Sequence, residues 1–213
     1  MFSSGLAWVI PFFSSVRELP FSNFMPVEFT LWGWTWPNSE TCYQFQKLLF
    51  FGVQAGAQHI RENASRLGPM QIKRLGSCKE YQTNKKLRTP LFQRWEQSKY
   101  DLMYQIVRAK FFQNPSSGQI LQATEPAVLV EASPHDQDWG IGQSVSQVLS
   151  GNGDTSRWGQ NNLGRILMQV RAELIQMTAP VPVGEPSRAP TTSHRRHIRL
   201  FKARERRRQV LRA

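Results

Sequence analysis

The segment FSNFMPVEFTLWGWTWPNSETCYQFQKL, residues 21–48, passes from an extended pattern to a helical one. Its first half is rich in aromatic and β-branched residues, and Gly33 separates two short runs, which is typical of strand, turn and strand. Pro37, followed by Asn38 and Ser39, then supplies a helix start, because Asn and Ser are favoured capping residues. Apolar side chains then recur at helical spacing, at Cys42, Phe45 and Leu49. The segment therefore predicts a small N-terminal sheet followed by a helix that begins with Glu40.

The three tryptophans of this segment alternate with single residues, which is the spacing of one strand face. Large rings fit a half-buried strand surface, so we expect Trp32, Trp34 and Trp36 to serve mostly in packing. An earlier run of the same character, AWVIPFF at residues 7–13, predicts a further strand of the N-terminal sheet.

Apolar periodicity predicts two longer helices in the second half of the chain. The stronger one lies in LFQRWEQSKYDLMYQIVRAKFFQNP, residues 91–115, and ends at Asn114 because the residue before a proline avoids the helical conformation. The other covers residues 163–177. A short helix is expected over residues 119–122, whereas residues 76–90 are polar and cation-rich without a period and predict a loop.

Basic residues are concentrated at the C-terminal end of the chain. Residues 194–213 hold nine of the 27 Lys and Arg and one of the 15 Asp and Glu, so that 18 basic and 14 acidic residues precede them. A Pro-rich stretch separates this basic tail from the rest. We therefore predict one domain over residues 1–178, a linker over 179–193 and a disordered basic tail over 194–213.

Composition excludes several classes of protein. Hydrophobic residues make up 40% of the chain, which excludes a wholly disordered protein, and no apolar run reaches the roughly 18 residues of a membrane span. Cys42, Cys78 and the scattered histidines give no metal-ligand spacing, and no phosphate-cradling Gly-rich motif occurs. We expect no metal, no cofactor and a reducing, cytoplasmic location.

Six separated blocks of the sequence together resemble the YbiA/NADAR family. They are FSNFMPVEFTLWGWTWPNSE, YQFQK, RWEQSK, RAKFFQNP, LVEASPHDQDWGIG and NNLGRILMQVR, in matching order over about residues 12–175. The resemblance implies an α+β, mostly helical single domain with N-glycosidase activity. It also implies one of two substrate groups, namely phosphorylated ribosylamino-pyrimidines of riboflavin biosynthesis or ADP-ribose attached to guanine or a related base.

Cleavage of an N-glycosidic bond develops positive charge on the sugar, so the site needs a carboxylate near C1 or near the attacking water. Glu40 is expected in the first helical turn, where the helix dipole favours the ionised carboxylate and suits it to stabilise charge or to act as a general base. A glutamate that only complements the helix terminus is the alternative. The resemblance implies the catalytic role.

Asp136 is the second carboxylate to which the resemblance points. It lies in ATEPAVLVEASPHDQDWGIG, residues 123–142, where a strand-like run is followed by the Pro, Asp and Gly of an ordered loop. The alternative is a turn-forming aspartate that bonds its own backbone. Asp138 is a weaker candidate. Glu131 also matches the family, with pairing to a buried arginine as its alternative.

Flat rings and cations are expected to hold the base and the phosphate of a nucleotide-like substrate. Trp95 and Trp139 offer stacking surfaces, although a place in the core is the alternative for Trp95. Arg108, Lys110 and Asn161 match family positions and are the candidates for phosphate binding.

The resemblance also implies a lysine that forms a Schiff base with the opened ribose. The cation-rich segment before Pro90 supplies the candidates, which are Lys79, Lys85 and Lys86. None of the three is singled out by the sequence.

The chain departs from the family pattern at three positions. Thr41 stands where the family has histidine, and Ser77 and Phe92 stand where it has basic residues. Lys79 or Arg94 is expected to supply the missing charge. These departures favour a second interpretation, in which an inactive family member binds nucleotides, or binds nucleic acid through residues 194–213. The same basic tail matches the composition of nuclear-import signals.

Overall fold

The hairpin predicted within residues 21–48 is confirmed. The computed structural model describes residues 8–13, 19–150 and 155–178. In it, strand β2, Phe29–Leu31, pairs antiparallel with strand β3, Trp34–Trp36. Gly33 turns the chain between them with a φ of 78°, a conformation that glycine adopts without steric cost.

The predicted helix follows directly as α1, Ser39–Phe50, and so begins one residue before Glu40. Asn38 caps it, because its side-chain oxygen accepts hydrogen bonds from both the backbone N–H and the hydroxyl of Thr41 at 2.9 Å. The cap fixes the chain direction at the point where Glu40 enters the protein interior.

The expectation that all three tryptophans pack in the core is wrong for two of them. Trp36 is only 2% exposed, whereas Trp32 and Trp34 are 43% and 37% exposed. The strand ends at Leu31, so Trp32 lies in the turn with a positive φ instead of on the strand face. Trp34 lies at the solvent end of its strand, where the Arg61 guanidinium stacks 3.1 Å from its ring.

The N-terminal run forms strand β1, Val9–Phe12, but its partner is distant in sequence. It pairs in parallel with strand β4, Val128–Glu131, with Val9 opposite Val128 and Phe12 opposite Glu131. The described residues therefore contain two separate two-stranded sheets. Together with the helices they confirm the α+β, mostly helical fold.

The remaining helical elements of the described residues are α2 Gln54–Asn63, α3 Pro69–Leu75, α4 Lys79–Leu87, α5 Pro90–Gln113, α6 Pro115–Gln122, α7 Val145–Leu149, the short 3-10 helix Thr155–Arg157, and α8 Asn162–Thr178. Helices α5 and α8 confirm the two long helices expected from periodicity. Helix α6 is longer than residues 119–122, because Pro115 ends α5 and also provides a favourable first residue for α6.

Helix α4 corrects the prediction of a loop over residues 76–90. Within it, residues 79–87 are helical, yet none of these residues is buried. A helix without a buried face carries no apolar period, so the sequence pattern offered nothing that would distinguish it from a loop.

Helices α1, α5 and α8 enclose the core together with β4. Trp95 on α5 contacts the rings of Tyr43, Phe50 and Phe51 at centroid distances of 5.5, 5.2 and 5.8 Å. Such ring pairs contribute about 0.5–1.5 kcal/mol each beyond the area they bury. Gly164 lets α8 approach β4, because a Cβ at this position would overlap the carbonyl oxygen of Leu129.

The predicted linker, residues 179–193, and the predicted basic tail, residues 194–213, lie outside the described residues. Within the described ranges, no helix combines the length and the apolar character needed to cross a bilayer.

Candidate functional site

A cavity of about 530 Å³ lies where α1, α3, α4 and α5 meet the loop that follows β4. It brings together four residues that the sequence singled out from distant positions. They are Glu40, Trp95, Asp136 and Trp139. Two more carboxyl groups, of Glu131 and Asp138, also face it.

Glu40 lies in the first turn of α1 and is only 6% exposed. Its backbone N–H donates to the Asn23 carbonyl at 3.0 Å, and its Oε1 accepts a hydrogen bond from Gln44 Nε2 at 2.9 Å. Burial raises the pKa of Glu40, against the lowering effects of Gln44, Lys73 and Lys47. The expected direction from the helix dipole alone was downward, so desolvation outweighs the terminus here.

Gln44 reaches Glu40 because the neighbouring chain leaves room for it. A Cβ placed on Gly76 would overlap the side-chain amide of Gln44. Gly76 has an ordinary helical φ of −67°, so the requirement for glycine is one of space. Gly76 ends α3, and its close approach to Gln44 lies where α3 packs against α1.

Asp136 faces the cavity, and it also forms the turn that was expected as its alternative role. Its Oδ1 accepts the backbone N–H groups of Asp138 at 3.0 Å and of Trp139 at 2.8 Å. These bonds hold the loop so that Trp139 lines the cavity. Asp136 therefore positions the aromatic wall with one oxygen and contributes negative charge to the same space.

The aromatic wall of the cavity consists of Trp95, Tyr43 and Trp139. Tyr43 lies between the two tryptophans, with ring centroids 5.5 Å from Trp95 and 5.6 Å from Trp139. Trp95 is 2% exposed, which favours the core alternative for this residue. Trp139 is half-buried and packs on Tyr100 at 5.4 Å, so it offers more surface to a ligand.

The lysine candidates for a Schiff base need correction. Lys79 and Lys86 are exposed on α4 and do not line the cavity, whereas Lys85 does, together with Lys73 and Lys99. Lys47 lines it as well and is buried, with Nζ 3.3 Å from the ring centroid of Tyr81. Burial lowers the pKa of Lys47 to about 8.

Sequence reasoning missed Lys47, although the signal was present. It follows Glu40 by seven residues in the YQFQK block, which is about two helical turns and places both side chains on one face of α1.

Three residues expected to bind phosphate lie elsewhere. Arg108 is exposed and pairs through Nε with Glu173 at 2.8 Å. Lys110 is fully buried and donates to the Ser22 carbonyl at 2.9 Å, and burial lowers its pKa to about 7. The Asn161 amide donates to the Leu129 carbonyl at 2.8 Å and accepts the N–H of Glu131 at 3.0 Å. None of the three lines the cavity, and their contacts stabilise the fold around it.

A second cavity of about 620 Å³ lies beside the first, and both are lined by Tyr81, Lys85, Lys99 and Asp138. Lys99 Nζ lies 2.6 Å from Asp138 Oδ2 and 2.8 Å from Glu96 Oε1. Although burial alone would lower its pKa, the hydrogen bonds to Asp138 and Glu96 raise it. Lys99 is therefore an ammonium ion that fixes Asp138, and it is not a nucleophile.

The departures from the family pattern fall in different surroundings. Thr41 serves the α1 cap and does not line the cavity, whereas Ser77 does. Phe92 lines the second cavity, where Lys85 and Arg88 supply positive charge. The expected substitutes, Lys79 and Arg94, line neither cavity.

The described residues contain no group of three or more His, Cys, Asp or Glu side chains arranged to hold a metal ion. The fold and the site thus define a mostly helical α+β domain in which one cavity of about 530 Å³ combines several carboxyl groups, a buried lysine and an aromatic wall.

The family model described as the NADAR domain matches residues 12–175, and the chain belongs to this family. N-glycosidase YbiA of Escherichia coli is 34% identical over 168 residues, which cover 78% of this chain and 88% of that protein. A maize protein named riboflavin biosynthesis protein PYRR, chloroplastic, is 33% identical over 171 residues. That match covers 78% of this chain but 25% of the maize protein.

The fold is also similar to a solved structure. The NMR structure of E. coli YbiA has a TM-score of 0.60 and 31% sequence identity, and the similarity covers 84% of this chain and 92% of that one.

Proposed function

We propose that this chain is an N-glycosidase that hydrolyses the bond between ribose C1 and the nitrogen of a base. Its substrate is a phosphorylated ribosylamine or an ADP-ribosylated base. The name of the similar E. coli protein, N-glycosidase YbiA, supports the reaction, and the name of the maize relative supports a link to riboflavin biosynthesis. The observation that carries the proposal is the meeting of Glu40 and Asp136 with an aromatic wall in one cavity.

The size of the cavity fits this substrate class. Small-molecule sites span roughly 300–1,000 Å³, and this cavity measures about 530 Å³. Trp139 provides a face on which a base stacks, and the side chains of Lys73 and Lys85 provide positive charge for phosphate.

Glu40 acts on the sugar in this proposal. As the C1–N bond breaks, positive charge develops at C1 and on the ring oxygen, and a carboxylate beside it lowers the energy of that state. The Gln44 hydrogen bond and the charges of Lys47 and Lys73 favour the ionised form of Glu40 against the desolvation that opposes it. Asp136 adds a second carboxyl group near the same space.

Lys47 is the amine that we assign to the Schiff base. A pKa of about 8 leaves part of its population as free amine at neutral pH. The amine attacks C1, the C1–N bond breaks, and its electron pair leaves on the base nitrogen, which takes up a proton. Ring opening then gives the imine, and water hydrolyses it to free ribose aldehyde and the lysine amine.

The test is release of free base, measured by liquid chromatography, from ribosylamino-pyrimidine phosphates and from ADP-ribosylated guanine. Glu40→Gln should lower the rate by about 100- to 10,000-fold, which is typical for a group that acts in the transition state. Glu80→Gln is the matched control, since Glu80 also lies in a first helical turn, that of α4, but is exposed. Equal rates for wild type and Glu40→Gln would remove Glu40 from the mechanism. Failure of the wild type with both substrate classes would refute the N-glycosidase proposal.

A further inference from the structure

Glu131 is the last residue of β4, and its side chain faces the same cavity as Glu40 and Asp136. Its backbone is held from two sides, because its N–H donates to Asn161 Oδ1 at 3.0 Å and its carbonyl accepts the N–H of Ile141 at 2.9 Å. Among the described residues, its buried Oε2 has no hydrogen-bond partner. A fixed backbone with an unpartnered oxygen at a cavity wall indicates that a bound ligand supplies the partner.

The expected alternative for Glu131 was an ion pair with a buried arginine. The buried Arg171 instead donates through Nη1 to the hydroxyl of Thr124 at 2.9 Å and to the Ala127 carbonyl at 2.8 Å. Arg171 thus holds the chain before β4, and none of the arginines in the described ranges pairs with Glu131.

The surroundings of Glu131 and Glu40 differ in their donors and charges. Burial raises the pKa of Glu40 as well, but a hydrogen bond from Gln44 and the charges of Lys73 and Lys47 lower it and so favour the anion. Burial, together with the charges of Asp136 and Glu40 and against that of Lys73, raises the pKa of Glu131 to about 8. When two carboxyl groups share a cavity, the one with fewer donors and cations holds the proton.

We propose that Glu131 is the general acid, which donates its carboxyl proton from Oε2 to the base nitrogen as the C1–N bond breaks. This inference rests on the proposed N-glycosidase function and names its proton donor. The electron pair of the broken bond and the Glu131 proton both end on the departing base. Water that later adds to C1 supplies the proton that restores Glu131, so the cycle balances without a further reactant.

Charged groups from every neighbouring element face this carboxyl group across the cavity. Lys73 comes from α3, Lys85 from α4 and Lys99 from α5, while Glu40 and Lys47 come from α1. The loop after β4 adds His135, Asp136 and Asp138. Lys99 is paired with Asp138 and Glu96, which leaves Lys73 as the cation that acts on Glu131.

The first experiment is the pH dependence of kcat/KM for base release by the full chain. The activity of the wild type should decline above a pH of about 8, because the acid then ionises, while protonation of the Lys47 amine limits the rate below that pH. Glu131→Gln should lower kcat/KM at neutral pH by about 100- to 10,000-fold and remove this alkaline decline. Glu28→Gln, at an exposed site, is the control and should keep both the rate and the decline. A Glu131→Gln enzyme that keeps the wild-type rate or the wild-type decline overturns the proposal.

The second experiment measures the proton on Glu131 without turnover. Carbon-13 NMR of the labelled glutamate carboxyl groups, assigned with Glu131→Gln, should show Glu131 titrating well above the ordinary value of 4.5. A midpoint near the ordinary value overturns the proposal even for an active enzyme. A high midpoint in a protein that releases no base overturns the N-glycosidase assignment and the acid role with it, while the protonated carboxyl group is kept as a finding.

Discussion

Helices α1 and α4 both line the cavity, but they do so in opposite ways. Nine of the 12 residues of α1 are buried, whereas α4 buries none. The buried polar groups of α1 are held by specific contacts, such as Gln44 to Glu40 and Lys47 over Tyr81. From α4, the cavity receives Tyr81, Gln82 and Lys85, which are exposed or half-buried side chains.

Under the proposed function, this difference places reacting groups on α1 and substrate-binding groups on α4. Reacting groups need fixed positions, and a helix buried on nearly all sides provides them. A helix without buried residues has little packing energy to oppose local opening, so its side chains are free to adapt to a ligand. We therefore expect changes on α1 to affect the chemical step and the stability, and changes on α4 to affect substrate affinity.

The largest expected effect concerns the lysines of the two helices. Lys47→Arg should abolish the adduct that borohydride traps between enzyme and ribose, because a guanidinium cannot form an imine. We expect the rate of base release to fall by about 100-fold or more. Lys79→Arg and Lys86→Arg on α4 should keep both the adduct and the rate. If peptide mass spectrometry located the adduct on Lys85, the reacting lysine would belong to α4, and α1 would not provide the nucleophile.

The next effect is on stability and compares one leucine from each helix. Leu48 on α1 is 1% exposed, whereas Leu87 on α4 is 67% exposed. Leu48→Ala should lower the free energy of unfolding by about 2–5 kcal/mol, because it leaves a cavity in the core. Leu87→Ala should change it by less than about 0.5 kcal/mol. Urea titration measures both, and equal losses would show that α4 is packed more tightly than its exposure indicates.

Lys47 should also make stability depend on pH. Its folded pKa of about 8 lies below the unfolded value of 10.5, so the unfolded chain binds more protons in this window. The free energy of unfolding of the wild type relative to Lys47→Met should therefore rise as the pH increases from about 8 to 10.5. The rise is on the order of 3 kcal/mol, at 1.36 kcal/mol per pKa unit.

The matched control is Lys86→Met on α4, which removes an exposed charge and should give a flat difference from the wild type across the same pH range. If the difference in free energy of unfolding between the wild type and Lys47→Met also did not change with pH, the ammonium group of Lys47 would remain hydrated in the folded protein.

The smallest effect is expected at Gly76, which lies between α3 and α4 and approaches Gln44 of α1. Gly76→Ala should displace the flexible end of Gln44 and weaken its hydrogen bond to Glu40. A typical hydrogen bond to a charged group contributes about 1.5–3 kcal/mol, and part of it is regained when Gln44 moves, so we expect kcat to fall by roughly tenfold or less with little change in Tm. Gly68→Ala, where a Cβ has more room, is the control. A large loss of Tm in Gly76→Ala would show that the backbone, and not Gln44, has to move.

Much of the fold could be predicted from the sequence because α1, α5 and α8 carry apolar side chains at helical spacing and α1 and α5 begin at clear capping residues. Helix α4 could not be predicted, since helix formation without a buried face leaves no periodic pattern. The pairing of β1 with β4 joins segments more than a hundred residues apart, and no local pattern encodes that choice of partner.

The resemblance to the family pointed to Glu40 and Asp136, and the flat ring of Trp139 added a stacking surface. The structure places all three at one cavity, while their roles in catalysis and binding stay predictions. Arg108 and Lys110 are two residues apart on α5, and the helix turns them to different surroundings, one at the surface and one in the core. Asn161 has a φ of 51°, and its role in fastening β4 follows from that backbone shape, which the residue type alone does not reveal.

The parallel pairing of β1 with β4 has a practical consequence for anyone who prepares this domain as a recombinant fragment. The family match starts at residue 12, where β1 ends. A fragment cut there would carry every side chain of the cavity wall, yet β4, which carries Glu131, would lose its only strand partner among the described residues. Expression should therefore start upstream of Val9, or a folding defect will be mistaken for an inactive enzyme.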